Sequence, residues 1–599
     1  MNSTWQLDSL YTGFDAPELI ADLKKAESIH EKYRPLLDAL EAASIDPQKG
    51  IETYLSYLIE DSKLLRTLSA YGHLNFSVNS KSQEALTLVD KTQTASNHLT
   101  EFQVRFKKWF STGDISSKLS EMAEASALID AHHFYLEDMK AQSRYLLSAN
   151  EEVLIAHLKT TGSDAFETLQ RKASSQLMVD IHLHGETKKL PIMAVRNLAY
   201  EADPALRKLG YEAELNAYRQ HEEISAAALN GIKGEVLTLS KLRGFDSPLD
   251  ETLFNARLSK KTLDAMIGTM EDYLPMFHRY LKLKAKALGH EKGMPFYDIA
   301  APLEGSSKSY TIEEAKLFVV KNFGKFSSDL ATFAQRAFDN RWVDFEPREG
   351  KVGGAFCSNI QSIGESRVLL NFNGNFKNVL TIAHELGHAF HGDRLRCESI
   401  LNTGYPMPLA ETASIFCETI VRKAAMEEAD DDFKCLILEN RLQGAMQVVV
   451  DILSRYYFES KVFEVREDHP LSVNEFKSLM EEAQLKAYGD CVDPELLHPY
   501  MWLNKPHYYY AARNFYNFPY AFGLLFATGL YAIYLERGDA FLNDYDTLLK
   551  ATGKMSVESV CAVVGVDPTT KDFWETSLKL IEKDVDLLES ILSQKSDIM

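Results

Sequence analysis

Apolar residues recur at every third or fourth position in run after run of this chain, as in LIADLKKAESIHEKYRPLLDAL from residue 19 to residue 40. That spacing lays a single apolar stripe along a helix, so the chain is expected to be mainly α. Similar runs cover 51–110, 115–160, 194–243, 259–289 and 311–338, broken by turn-forming stretches such as SIDPQKG, FSTGD and TTGSD. A length of 599 residues leaves room for two or three packed units. Only two stretches alternate as strands do: 177–192, around a His184-Gly185-Glu186 turn, and 353–374, where GGAFCSNIQ and SRVLLNFNG form a hairpin. His182 and His184 share a strand face but lack an acidic partner, and His132 and His133 are adjacent and cannot share a helix face. Both pairs are read as ordinary surface residues.

Charge and segment composition exclude several functions. A formal net charge of -21 repels phosphate backbones and anionic lipid heads, so neither nucleic acid nor a membrane surface is an expected partner. The N-terminal residues MNSTWQLDSLYTGFDAPEL show no basic and apolar leader pattern, and a cytoplasmic location is the expectation. Six cysteines without CxxC spacing read as reduced thiols, mostly buried. The stretch from Asn514 to Leu535 carries no charge and is long enough to cross a bilayer, but its asparagines, Pro519, glycines and scattered tyrosines suit a core helix better.

The run TIAHELGHAFHGD, residues 381–393, places three histidines and a glutamate in an apolar helix. His384 and His388 stand one turn apart on one face, so both imidazoles can bind one ion at about 2.0–2.1 Å. Glu385 lies about 100° round the helix, where its carboxylate reaches a water on the ion without ligating it. This is the HExxH pattern of zinc hydrolases, and its mechanics require a third ligand and an open position. A histidine at 394 would serve in one known extension, but the chain has Arg394 there, and His391 is the weaker candidate. Glu411 is the better one: the turn NTGYPMP lets the chain reverse, and the helix LAETASIFCETIV then presents Glu411 near its start. Glu418 follows seven residues later on the same face, placed to orient a ligand rather than to bind.

These residues resemble the thimet oligopeptidase-like zinc peptidases and, within them, the bacterial oligoendopeptidase F branch. The strongest segments are LLNFNGNFKNVLTIAHELGHAFH, PLAETASIFCE and PHYYYAARNFYNFPYAFG, in the family's order, with weaker similarity over 143–169. The resemblance implies His384, His388 and Glu411 as ligands of one Zn²⁺ per chain and Glu385 as general base. It implies a two-lobed helical body around a deep substrate channel, with a small β-sheet beside a zincin-like HExxH core. It also implies that His507, Tyr516 and Tyr520 bind substrate and stabilise the tetrahedral intermediate. Gly523 stands where thimet-like members carry a further tyrosine, which leaves open which of the three groups serves the oxyanion.

The expected activity is hydrolysis of internal bonds in short, unstructured peptides. The hairpin before the HExxH helix offers Gly353, Gly354 and Ala355 as an edge to pair with an extended substrate. The chain divides by sequence into a helical region at 1–112, an oligoendopeptidase F-like helical domain ending in a hairpin at 113–193 and a catalytic domain at 194–599. A zinc carboxypeptidase of the HExxH-plus-Glu type and a helical scaffold with a non-catalytic metal motif are the alternatives. The oligomeric state, monomer or small homo-oligomer, is left open.

Overall fold

The computed structural model describes residues 3–112, 114–183, 185–303 and 308–598, except the side chains of Ala149 and of residues 595–598. The protein is mainly α, as the periodicity predicts. The chain forms two compact units, each discontinuous in sequence: Met1–Tyr145, Lys308–Glu427 and Ile533–Gly565 make the first, and Leu146–Ser307, Glu428–Ala532 and Val566–Met599 the second.

In the first unit, α1 (Pro47–Val78) and α2 (Gln83–Ser111) pair as long antiparallel neighbours. Each has a side-chain cap: Asp46 accepts from Lys49 N–H, and Ser82 accepts from Ala85 N–H. Tyr33, Tyr54, Phe102 and Phe106 fill the core between them, with the Tyr54 and Phe106 rings stacked. A three-stranded sheet follows, made of β1 (Val343–Asp344), β2 (Phe356–Ile360) and β3 (Glu365–Leu369). Its order is β1-β3-β2, with β1 parallel and β2 antiparallel to β3, so β2 is an edge strand. Leu74 of α1 packs with Trp5, Ile360 and Leu369, which ties the N-terminal helices to this sheet.

The strand β2 begins at Phe356, so Gly353, Gly354 and Ala355 lie in the bend leading into it and not in the strand itself. Gly354 has φ +84°, which takes the backbone out of the extended region, and the Asn371 amide donates to the carbonyls of Val352 and Gly354 at 3.0 and 2.9 Å. The sheet packs against α3 (Phe376–Leu395), the helix that carries the HExxH residues. Asn375 caps that helix through Asn378 N–H, and Ile382, Ala383, Leu386, Ala389 and Phe390 are all buried. A single-turn helix α4 (Met407–Ala410) leads to α5 (Thr412–Glu428).

The second unit holds the expected first hairpin, Met178–Leu183 paired antiparallel with Glu186–Pro191; His184 at its tip lies outside the described residues. His182 is exposed and sits across from Thr187, in keeping with its surface reading. His132, in the first unit, is instead buried, with Nδ1 at 2.7 Å from the Leu128 carbonyl and Nε2 at 2.6 Å from Ser399 Oγ. The second unit also contains α6 (Ile452–Asp468), preceded by a π-helical turn at Gln447–Asp451. The uncharged stretch forms α7 (Phe518–Arg537). The helical stretch Phe518–Ala551 is long and apolar enough to cross a membrane, and 78% of its apolar window is buried within the protein. All six cysteines are free thiols, four of them buried.

Candidate metal centre

On α3 the His384 and His388 rings lie 5.0 Å apart and nearly perpendicular. Their Nε2 atoms converge on one oxygen, Glu411 Oε2, at 3.3 and 3.4 Å. Two donors bound tetrahedrally at about 2.0–2.1 Å from an ion stand about 3.3–3.4 Å from each other. The chemistry also fits, two imidazole nitrogens and one carboxylate, and the three donor atoms lie within 4.8 Å of one another. The side chains of His384, His388 and Glu411 keep 26, 20 and 25% of their exposure, so solvent reaches the cluster.

Glu411 arrives here because α5 packs its backbone directly against α3. A Cβ on Gly387 would lie 2.5 Å from the Ala413 carbonyl oxygen and 2.6 Å from Ser414 Cα, so only glycine permits the approach. Glu411 sits at the junction of α4 and α5, and its own carbonyl accepts the Ile415 N–H at 3.1 Å. The Ser414 hydroxyl donates to Glu411 Oε2 at 2.6 Å and fixes the carboxylate. Behind the cluster, Glu418 Oε2 lies 3.3 Å from His384 Nδ1, and its other oxygen pairs with Arg422. With Glu418 accepting from Nδ1, the ring is turned so that Nε2 faces Glu411. Burial opposes protonation of His384, but the carboxylates of Glu411 and Glu418 outweigh it and hold the imidazole up at about 10. The imidazoles hold the Glu411 carboxyl far below the usual range despite its burial.

Glu385, one residue further round α3, is 6% exposed. Burial raises its carboxyl above the ordinary value, opposed by the two adjacent imidazoles, which makes it a stronger base than a solvated glutamate. Cys357 on β2 is near enough to feel that charge, and burial and Glu385 together keep its thiol protonated. The edge strand is tied to the helix by the Asn359 amide, which donates to the His388 carbonyl at 3.1 Å. His391 points elsewhere: it stacks on Tyr405 with centroids 4.3 Å apart, and its Nε2 meets Thr552 Oγ1 at 2.8 Å.

A second group, His278, Asp490 and Cys491 in the other unit, also has donor atoms within 4.8 Å. It suits a cation less well. Lys282 occupies Asp490 at 2.8 Å, and burial, then Asp490, pushes the Cys491 thiol up to about 12.

His507, Tyr516 and Tyr520 lie in the second unit and form one aromatic cluster. The His507 ring stacks on Tyr516 at 5.1 Å, with Tyr510 at 5.7 Å and Tyr520 at 6.5 Å. The loop carrying them is anchored at Asn514, whose Oδ1 accepts from buried Lys233 at 3.0 Å and whose carbonyl accepts from Thr252 at 3.2 Å. Phe515 adopts φ +50°, strained for a bulky residue, and is held by stacking on Phe463 with centroids 5.5 Å apart. Burial and the positive charges of Arg455 and Lys505 lower the His507 imidazole to about 4, so it is neutral at pH 7.

The sequence pattern names the residues that meet here, His384, Glu385, His388, Glu411 and Glu418, but not Ser414 or Asn359, which hold them. Ser414, three residues after Glu411 at the start of the same helix, was the one within reach of a spacing argument.

The model of the family described as Peptidase family M3 matches residues 197–580, and that described as Oligopeptidase F matches 116–178. Oligopeptidase PepF of Bacillus subtilis (strain 168) is 24% identical over 602 residues, covering 98% of this chain and 87% of the relative. Group B oligopeptidase PepB of Streptococcus agalactiae serotype III is 25% identical over 571 residues, covering 92% and 93%. Among solved structures, one from Chlamydophila abortus has a TM-score of 0.84 at 22% identity, covering 98% of both chains. Oligoendopeptidase-F from Enterococcus faecium has a TM-score of 0.69 at 19% identity, covering 96% of this chain and 98% of that one.

Proposed function

Because the chain belongs to peptidase family M3, in its oligoendopeptidase F branch, and is a metallopeptidase, we propose that it is a zinc-dependent endopeptidase cutting internal bonds of short, unstructured peptides in the cytoplasm. What supports this reading is the meeting of His384 Nε2, His388 Nε2 and Glu411 Oε2 at tetrahedral donor spacing, with Glu385 on the same helix. One zinc ion held by these three would polarise the substrate carbonyl and acidify a water. Glu385 takes the proton of the attacking water on its carboxylate and hands it to the leaving amide nitrogen, a transfer that its raised basicity favours. Glu418 and Ser414 keep His384 and Glu411 in the ligating orientation.

As the carbonyl oxygen gains charge, His507, Tyr516 and Tyr520 offer it N–H and O–H donors, each worth most in a site with little water. The bend Gly353-Gly354-Ala355 and the free edge of β2 receive the main chain of the peptide. No covalent acyl-enzyme forms.

The test is Glu385→Gln assayed on an internally quenched peptide blocked at both ends. The wild type is expected to cut this peptide internally, and a chelator to stop it. The variant is expected to keep one zinc per chain and lose on the order of 100- to 10,000-fold in turnover. Full turnover in the variant refutes the base assignment, and failure to cut until the C-terminus is freed would make the enzyme a carboxypeptidase. His384→Ala is expected to lose the metal, and stoichiometric zinc in that variant removes the ligand assignment.

A further inference from the structure

Beside Gly392, one turn past His388, the first unit holds a cavity of about 270 Å³ that the reading above does not use. Asn359 at the end of β2, the loop Thr403–Tyr405 and Arg66 on α1 line it as well. Asn359 forms the wall toward the metal centre. Its amide donates to the His388 carbonyl at 3.1 Å and its Oδ1 accepts from the Ser366 hydroxyl at 2.7 Å, so both ends of the carboxamide are engaged. Gly392 makes room for that wall, because a Cβ there would stand 2.3 Å from the carboxamide. The cavity thus adjoins the edge strand that receives the peptide main chain in the reading above. Four charged side chains line it, Arg66, Glu365, Asp393 and Arg396, and three have partners of opposite charge. Asp393 meets Arg336 and Arg394, each at 2.5 Å, and Arg396 at 3.4 Å, while Glu365 meets Arg367 at 2.8 Å. Arg66 has no carboxylate partner among the described residues. Its Nη1 donates to Thr403 Oγ1 at 2.9 Å, across 337 positions of sequence, and the Thr403 hydroxyl donates to the Ile400 carbonyl at 2.8 Å. A guanidinium has five N–H donors, of which that bond occupies one.

We propose that this cavity is a substrate subsite for an acidic side chain: the Arg66 guanidinium, held in place by Thr403, binds the carboxylate of an aspartate or glutamate in the peptide. A planar, always charged fork of donors that lacks an acid within its own chain is complemented by one from the ligand. The partners of Asp393 and Glu365 cancel the charges that would otherwise repel that carboxylate. Side chains of a paired strand alternate between its two faces, so the cavity selects at one position of the bound peptide and not along its whole length. The preference runs against the bulk charge. A net charge of -21 disfavours acidic peptides in general, so a local preference for them has to come from a specific cation.

The subsite rests on β2 receiving the peptide of an endopeptidase, and the test separates the two. Peptides blocked at both ends, carrying alanine, glutamate or lysine in turn at each position, are cut by the zinc-loaded full-length protein and the cuts mapped by mass. Glutamate is expected to exceed alanine in kcat/KM by about tenfold at a single position relative to the cut, with lysine below alanine there. Fluorescent versions of the same peptides, bound to Glu385→Gln and followed by anisotropy, are expected to give the same order in Kd without turnover. Arg66→Glu is expected to reverse the order at that position alone, lysine now exceeding glutamate, a change that general loss of stability does not produce. Arg66→Gln, which keeps a polar side chain without the charge, is expected to bring the glutamate-to-alanine ratio to about one, and Thr403→Val to lower it to about threefold. Equal rates for glutamate and alanine at every position, or a glutamate preference that survives in either Arg66 variant, overturns the proposal. Cutting of the blocked peptides without such a preference sinks the subsite alone. Glutamate-selective binding to Glu385→Gln with no cutting by the wild type sinks the endopeptidase reading and leaves the subsite standing.

Discussion

Replacing Gly387 by alanine tests whether the metal site depends on backbone contact between α3 and α5. In an ordinary helix interior this change stabilises, by about 1 kcal/mol, because alanine loses less conformational freedom than glycine. Here the new Cβ would stand 2.5 Å from the Ala413 carbonyl oxygen, 2.6 Å from Ser414 Cα and 2.9 Å from the Ala413 carbonyl carbon. Ordinary contact begins near 3.4 Å, so α5 must retreat by roughly 0.9 Å. These three nearest atoms are all backbone, and no rotamer change moves them. Glu411, two residues before that clash, then moves from 3.3 and 3.4 Å to about 4 Å from the two imidazoles, beyond what one tetrahedral ion can bridge. Overpacking costs about 1–3 kcal/mol, which cancels or exceeds the propensity gain, and zinc affinity is expected to fall about 10- to 100-fold. Competition with a chromophoric chelator measures the affinity, and peptide turnover at saturating zinc shows whether the refilled site is still active. Gly392→Ala is the control: the atoms nearest its new Cβ belong to the Asn359 carboxamide, at 2.3 Å, a side-chain end that can rotate away, and the loss is expected to stay below about tenfold. Unchanged zinc affinity and a raised Tm in Gly387→Ala would refute the reasoning.

Glu418→Gln replaces the anion at His384 Nδ1 by a neutral amide and is expected to weaken zinc binding about 10- to 100-fold while leaving the fold intact, as zinc competition and circular dichroism will show. Ser414→Ala removes the 2.6 Å bond to Glu411 Oε2, a charge-assisted bond worth about 1.5–3 kcal/mol, and is expected to speed zinc release in a stopped-flow chelator assay. His391 is fully buried, and burial lowers it to about 3 from the ordinary 6.5. Above pH 6.5 neither folded nor unfolded chain protonates this group. Between pH 6.5 and about 3 only the unfolded chain does, so each unit of acidification costs about 1.4 kcal/mol of stability. Urea unfolding across that range is expected to show the loss, and His391→Asn to flatten that part of the curve.

Much of the candidate metal centre was legible because its relations are local. His384, Glu385 and His388 are set by helix geometry alone, and Glu411 and Glu418 follow once the turn at 402–408 is recognised as a reversal. The mainly α fold was legible for the same reason, since helix periodicity is written within each segment. The interleaving of three stretches into each unit was not, because it depends on contacts between residues hundreds of positions apart. The pattern predicts strand at Gly353, Gly354 and Ala355, and the strand instead begins at Phe356 because the positive φ of Gly354 breaks the extended run. Arg66 and Thr403 are 337 residues apart and follow no shared period, so nothing in the order of residues pairs them.

The three histidines of α3 show why such a centre has to draw on a second helix. His391 lies on nearly the same face as His384, but seven residues carry it about 10.5 Å along the axis, too far for one ion to reach both. An α-helix therefore supplies two ligands to a single ion, at i and i+4, and the third has to come from another segment. Bringing a short side chain such as glutamate within range demands that the two backbones nearly touch, which a Cβ at the crossing point would prevent. That crossing falls at Gly387, between His384 and His388, and not at a turn or helix end where glycine is usual. His391, left without a role at the ion, is buried neutral against Tyr405 and Thr552, and its aromatic body packs where a charged ring could not. The glycine in HELGH is thus a condition for the approach of Glu411 to the two imidazoles, set by packing between α3 and α5.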